Sequence, residues 1–107
     1  MAAVADYATP AASFTGTGQS PSVLVDGMTD RIPRRVNMSL WGTFVGTVQP
    51  EISFDNGTTW LQITDAGTGI TRTAPCTDVF EESEQGVLYR WDCTAYTSGT
   101  INYRISF

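Results

Sequence analysis

The carboxylates that crowd closest together in the sequence are Asp78, Glu81, Glu82 and Glu84. Two carboxyls facing each other across a cleft would suit glycoside hydrolysis, and a set joined by backbone carbonyls would suit calcium. This cluster spans the turn expected between two strands, so it reads as a solvated turn, where unpaired carboxylates normally stay. The two cysteines, Cys76 and Cys93, are too few for a zinc site and are not spaced as C-x-x-C. They read as small buried apolar residues, with a disulfide as the alternative. Histidine and lysine are both absent. That removes the imidazole base, the Ser-His-Asp and Cys-His nucleophile systems and any His-containing metal site. The expectation is a protein that is not an enzyme and carries no metal or other cofactor.

The six basic residues are arginines: Arg31, Arg34, Arg35, Arg72, Arg90 and Arg104. The first three stand around Pro33 in an expected loop, Met28–Arg35. Arginine suits bidentate pairing with carboxylates at interfaces, so this loop is a candidate docking point; plain solvated charge is the alternative. Among the aromatics, Trp60, Tyr96 and Tyr103 would join Trp41 in any sugar-stacking platform, but Tyr89 and Trp91 share the apolar face of one expected strand. Trp41 differs. It alternates with Asn37, Ser39 and Thr43 on a polar face, so it covers a sheet edge or meets a partner. The candidate partner contacts are therefore Arg31, Arg34, Arg35 and Trp41.

The most specific local pattern is Ser53-Phe54-Asp55-Asn56-Gly57-Thr58-Thr59-Trp60. It fits the S-x-D-x-G-x-T-W form of an Asp-box, a hairpin found in sialidase propellers and in unrelated β proteins. Its key positions here are Ser53, Asp55, Gly57, Thr59 and Trp60. The Asp carboxylate can accept turn N–H groups, the glycine can take positive φ, and the tryptophan can fold back over the hairpin. A propeller would repeat the unit and needs far more chain. The pattern is read as structural.

The elements that must hold these residues follow from composition and period. The chain has 107 residues and a mass of 11.6 kDa, enough for one domain with a modest core. Hydrophobic residues make up 41%, too many for a disordered tail, and no apolar run approaches a membrane span. No secretory signal is read in Met1–Ala12, so a soluble domain is expected. The net charge of −5 argues against a nucleic-acid partner.

Period-two alternation appears in Val36–Phe44, with Gly42 as a bulge or close-packing point. A turn at Gly46 leads into Thr47–Phe54, where Pro50 calls for an edge strand or a bulge. Cys76–Glu82 and Gly86–Thr94 read as a hairpin turning at Glu84-Gln85, which would set Cys76 opposite Cys93 and Phe80 opposite Tyr89. The two sulfurs would then be neighbours, as free thiols. Thr100–Phe107 closes the chain. About eight short strands with regular turn signals predict an all-β, antiparallel β-sandwich, jelly-roll or Ig-like. Residues 1–20 read as an extended N-terminal arm and 21–107 as the sandwich.

Several segments together resemble the small β-sandwich structural proteins of tailed bacteriophages. They are Ser13-Phe-Thr-Gly-Thr-Gly-Gln-Ser20, Leu40-Trp-Gly-Thr-Phe-Val-Gly-Thr-Val48, Ser53–Trp60, Glu84–Cys93 and Ser98–Ser106. The resemblance implies a virion protein, first a capsid decoration (cement) protein that binds and stabilises the outer head shell. It implies the major capsid protein and further copies of this chain as partners, assembly in the host cytoplasm, and no nucleic acid or membrane. It brings no catalytic residues. The alternatives are a head–tail connector or tail component, and, from a different class, a carbohydrate-binding module. A homotrimer is the expected oligomer, with the arm and the Arg31–Arg35 loop as its outward contacts.

Overall fold

Alternation sets the inside and outside of each long strand. The computed structural model describes the backbone of residues 12–25, 28–29 and 32–107, and the side chains of 12–25 and 34–107. Regular structure in these residues is β throughout. It comprises β1 (Ala12–Phe14), β2 (Gly18–Gln19), β3 (Val23–Val25), β4 (Met28–Thr29), β5 (Ile32–Trp41) and β6 (Phe44–Ser53). There follow β7 (Leu61–Gln62), β8 (Thr64–Asp65), β9 (Thr68–Gly69), β10 (Cys76–Glu82), β11 (Val87–Gly99) and β12 (Ile101–Ser106). Val36, Met38 and Leu40 of β5 and Val87, Tyr89, Trp91 and Cys93 of β11 point inward and are buried. Each fully buried aliphatic side chain of this kind stabilises by about 1.5–3 kcal/mol.

The strands form two antiparallel layers. The first has the order β1-β12-β5-β10, with β4 also on β5; the second has β2-β11-β6-β7, with β3 also on β11. A small separate hairpin joins β8 and β9. The layers are one folded sheet. In the first layer β5 and β12 pair from Ser106 opposite Asn37 to Asn102 opposite Trp41. Across the bend the same two chains continue as β6 and β11 in the same register, with Gly99 opposite Phe44 and Ser98 opposite Val45. An extra β11 residue between Ser98 and Tyr96, and another between Ala95 and Cys93, then shift it. Flanking chains make the same crossing. β1 lies on β12 and β2 on β11; Arg72 bridges Val48 while Cys76, four residues on, lies opposite Leu40. The core sits inside this fold, with Phe14 against Tyr103 at a ring-centroid distance of 4.7 Å.

All-β, antiparallel and sandwich-like was the expectation, and that is the architecture; several finer expectations need correction. Twelve strand segments among the described residues replace about eight, because short pieces such as β2, β3, β4 and β7 hydrogen-bond along the long strands. The bend falls at Gly42-Thr43 and not at Gly46, which lies inside β6. Gly42 takes φ of 113°, and a Cβ there would stand 2.6 Å from the Thr100 carbonyl oxygen, so only glycine fits the corner. Within the expected loop at Met28–Arg35, Met28–Thr29 form β4 and Ile32 begins β5. The arm boundary moves too: Ala12–Ser20 belong to the sandwich, with Phe14 and Ser20 buried, while Met1–Ala11 lie outside the described residues.

Pro50 is not on an edge strand, since β6 lies between β11 and β7. Its partner Trp91 donates its N–H to Ser20 Oγ and its carbonyl accepts the Ser20 N–H, so the Pro50–Trp91 pair is a non-hydrogen-bonded one. Position 50 therefore turns its nitrogen away from β11. On that side its carbonyl accepts the Ile63 N–H at 3.0 Å, and the Ile63 carbonyl is already taken by the Ile70 N–H. No donor is missed there.

The hairpin expected between Cys76–Glu82 and Gly86–Thr94 does not form. β10 pairs with β5 and β11 with β6, so Cys76 lies opposite Leu40 and Cys93 opposite Val48. The turn near Glu84 carries the chain from one layer to the other. Both cysteines are free thiols.

Candidate functional site

Two outer surfaces gather the residues that sequence reading singled out. On the second layer, the segment after β6 folds back over the sheet. Ser53 Oγ donates to Asp55 Oδ1 at 2.8 Å, the Gly57 N–H donates to Ser53 Oγ at 2.9 Å, and the Thr59 N–H donates to Asp55 Oδ1 at 2.8 Å. Asn56 and Gly57 take φ of 60° and 89°, the left-handed values this tight turn requires. The Thr59 amide, then the Thr59 and Ser53 hydroxyls, hold the Asp55 carboxyl below the usual aspartate value. Trp60 lies over the Arg90 guanidinium, 4.0 Å from its ring centroid.

Arg90 itself grips Glu51 through Nε at 2.8 Å and Nη2 at 2.7 Å. Gln49 Nε2 donates to the other Glu51 oxygen at 2.7 Å, and Glu51 is only 6% exposed although it points out of the sheet. Beside it, Asp92 accepts from Gln19 Nε2 at 3.1 Å. Burial, and next the neighbouring Glu51 carboxylate, push the Asp92 carboxyl upward. These groups satisfy one another and clamp the hairpin to the sheet. Two close carboxylates alone do not supply a reaction, and here one of them is already fully engaged by Arg90 and Gln49.

The first layer presents a different face. Trp41 is 40% exposed, and Asn102 Nδ2 donates to its carbonyl at 3.3 Å. Asn102, Ser39, Arg104, Asn37 and Thr77 share the face by register, with Val79 beyond them. Arg35 points to the same side, but six residues from Trp41 along β5, about 20 Å away. Its contact with Glu81, at 3.8 Å between side chains 74% and 63% exposed, contributes little. Arg34 faces the opposite way, with its guanidinium 5.6 Å from the Phe107 ring centroid. Arg31 lies outside the described residues. The structure therefore does not bring Arg34, Arg35 and Trp41 into one patch.

The acidic cluster is not a solvated turn as a whole. Glu82 is buried, accepting the Tyr89 hydroxyl at 2.8 Å and the Glu84 N–H at 3.0 Å. Asp78 accepts both Arg72 Nε at 2.9 Å and Nη2 at 2.7 Å, which holds its carboxyl below the ordinary value. Glu81 and Glu84 are exposed. Burial, with Asp78 alongside, pushes the Cys76 thiol up to about 11, so it stays protonated and unreactive at neutral pH. No group of three or more metal-ligating side chains that could hold a metal ion occurs among the described residues.

Sequence reading missed the Glu51–Arg90 and Asp78–Arg72 pairs. Both partners were visible as outward residues of alternating strands, but which strand pairs with which was not. No family model, no curated protein and no solved structure matches this chain.

Proposed function

We propose that this chain is a virion structural protein of a tailed bacteriophage, a decoration protein that binds the outer head shell by adhesion. The observation that carries the reading is the outer face of the first layer. There Trp41 stands 40% exposed on a sheet face with the short neutral side chains of Asn37, Ser39, Thr77 and Asn102 and the exposed Arg104. Such a face suits a second folded surface, because an aromatic anchor ringed by small polar groups is the usual centre of a protein contact. Val79 extends this face, exposed Leu24 and Phe54 lie on the other layer, and a shell protein that bridges neighbours needs more than one contact region. The sequence resemblance to small phage β-sandwich proteins supplies the partner.

The test is cosedimentation with emptied heads of the phage that encodes the chain. The wild type should saturate the shells stoichiometrically, and Trp41→Ala, at an exposed position, should stay folded and lose at least tenfold in affinity, the usual effect of truncating a central aromatic. Binding of tails instead of heads would move the protein to the neck or tail. Glycan binding that depends on Trp41 would make it a carbohydrate-binding module.

A further inference from the structure

The edge of β6 beyond the bend is open. Val48 spends both its N–H and its carbonyl on Arg72, at 2.9 and 2.7 Å, so the even-numbered residues of β6 face away from β11. Phe44 and Gly46 therefore point their N–H and carbonyl groups outward on that side, where no hydrogen-bond partner meets them among the described residues. The neighbouring chain cannot cover them. Between the Leu40–Cys76 and Val48–Arg72 pairings the folded strand spends residues 41–47, while its neighbour crosses with residues 73–75 alone. The β6–β11 ribbon thus projects past the corner with a bare edge. An open groove of about 360 Å³ runs beside it, bounded by Val45, Thr47, Thr73, Ala95 and Thr97 and lined by no charged side chain. Natural sheets protect such edges with charge, proline or a cover, and this one has none of these at Phe44–Thr47.

We infer that this edge accepts an extended segment from a second copy of the chain, its residues 1–11, by strand addition. The inference rests on the self-assembly part of the proposed function. Residues 1–11 carry a single charged side chain, Asp6, and five alanines, with Val4 and Tyr7 between them. Small neutral side chains match an uncharged groove, and main-chain hydrogen bonds supply the rest of the affinity. The direction of β1 favours a neighbour over the chain's own groove. Ala12 lies opposite Tyr103 and Phe14 opposite Ile101, so β1 runs toward the bend and its first residue is at the end remote from the groove. Eleven residues span at most about 36 Å, enough to leave one sandwich and pair with four residues of the next. Donor and acceptor are different surfaces, so the contact is head-to-tail, and among the closed rings such a contact can form the trimer matches the oligomer of the proposed function.

The test compares the full chain, a chain lacking residues 2–11, and Val45→Lys by sedimentation equilibrium and amide hydrogen exchange. Val45 is 58% exposed and directs its own amide and carbonyl toward β11, so the lysine leaves the sandwich intact while charging the edge. The full chain should be a trimer in which the Phe44 and Gly46 amides exchange roughly tenfold or more slowly than in either variant. Both variants should be folded monomers. A synthetic peptide of residues 1–11, added to the truncated chain, should shift the Phe44 and Gly46 amide resonances. A truncated chain that still assembles, or equal exchange at the two amides in all three proteins, would overturn the inference. Shell binding is scored separately. Trimers that form through residues 1–11 yet ignore shells would support this inference and refute the shell reading.

Discussion

The backbone N–H of Thr100 donates to the carbonyl of Thr43 at 3.1 Å, and this bond ties together the two corners where the sheet folds. Each corner is a glycine followed by threonine, Gly42-Thr43 and Gly99-Thr100. Because both chains bend at the same register position, the pairing keeps its register from one layer to the other across the corner.

Gly99 should be the least replaceable residue of this corner. It takes φ of 91°, and a Cβ would collide with the Thr43 carbonyl oxygen. Gly99→Ala should lower stability by about 2–5 kcal/mol, adding left-handed strain to a clash with backbone that cannot retreat. Gly86, at φ of 77°, has nothing within 4 Å of the same position. Gly86→Ala should cost about 1–2 kcal/mol from strain alone. Urea denaturation of the two variants checks the difference.

Asp55→Ala should lower the melting temperature at neutral pH, because the Gly57–Thr59 turn loses its charged acceptor. The Asp55 pKa is depressed in the folded state, so its contribution is present above the unfolded value, near 3.8, and is lost as pH falls through the folded value. Wild-type and variant melting curves should therefore converge as the pH falls through the folded value, which lies below 3.8. Shell binding, measured where both are folded, should hardly change; a variant with unaltered melting and abolished binding would make the hairpin a binding site.

Asp92→Asn should do the opposite. Burial and Glu51 raise the Asp92 pKa, so the folded state favours the protonated form, and this preference turns into a penalty as pH rises through the folded value. Asparagine removes that penalty and keeps an oxygen for Gln19. Its melting temperature should exceed the wild type's at pH 7, with the gap closing below the unfolded value near 3.8. An equal or lower melting temperature at pH 7 would show that the charged form is the better one.

Tyr89→Phe should cost about 1–3 kcal/mol at pH 7, since it takes a donor from the buried Glu82 carboxylate. Tyr89→Phe combined with Glu82→Gln should recover part of the loss, because no underpartnered charge then remains. A double-mutant cycle by urea denaturation reads the coupling.

The fold class was legible because alternation is local. Val36, Met38 and Leu40, and Tyr89, Trp91 and Cys93, announce an inward face whatever they pair with. Pairing is not local. β10 and β11 are adjacent in the chain and look like a hairpin, yet each finds its partner in a different layer, and so Cys76 and Cys93 are not cross-strand neighbours. Only the two corners decide this, and Gly42 and Gly99 reveal their role through φ and close approach, which their residue type merely permits. The outward placement of Trp41 was readable from its polar neighbours. The burial of Glu82 was not, because its covering partner Tyr89 reaches it by the hydroxyl at the tip of an otherwise apolar core residue.

The central claim, adhesion to a phage head, is tested most directly by a density map of the virion, compared with one of particles lacking this protein. Difference density of about 12 kDa per copy should appear in clusters with three-fold symmetry on the outer surface of the head. Difference density confined to the neck or tail, or none on the particle, would contradict it.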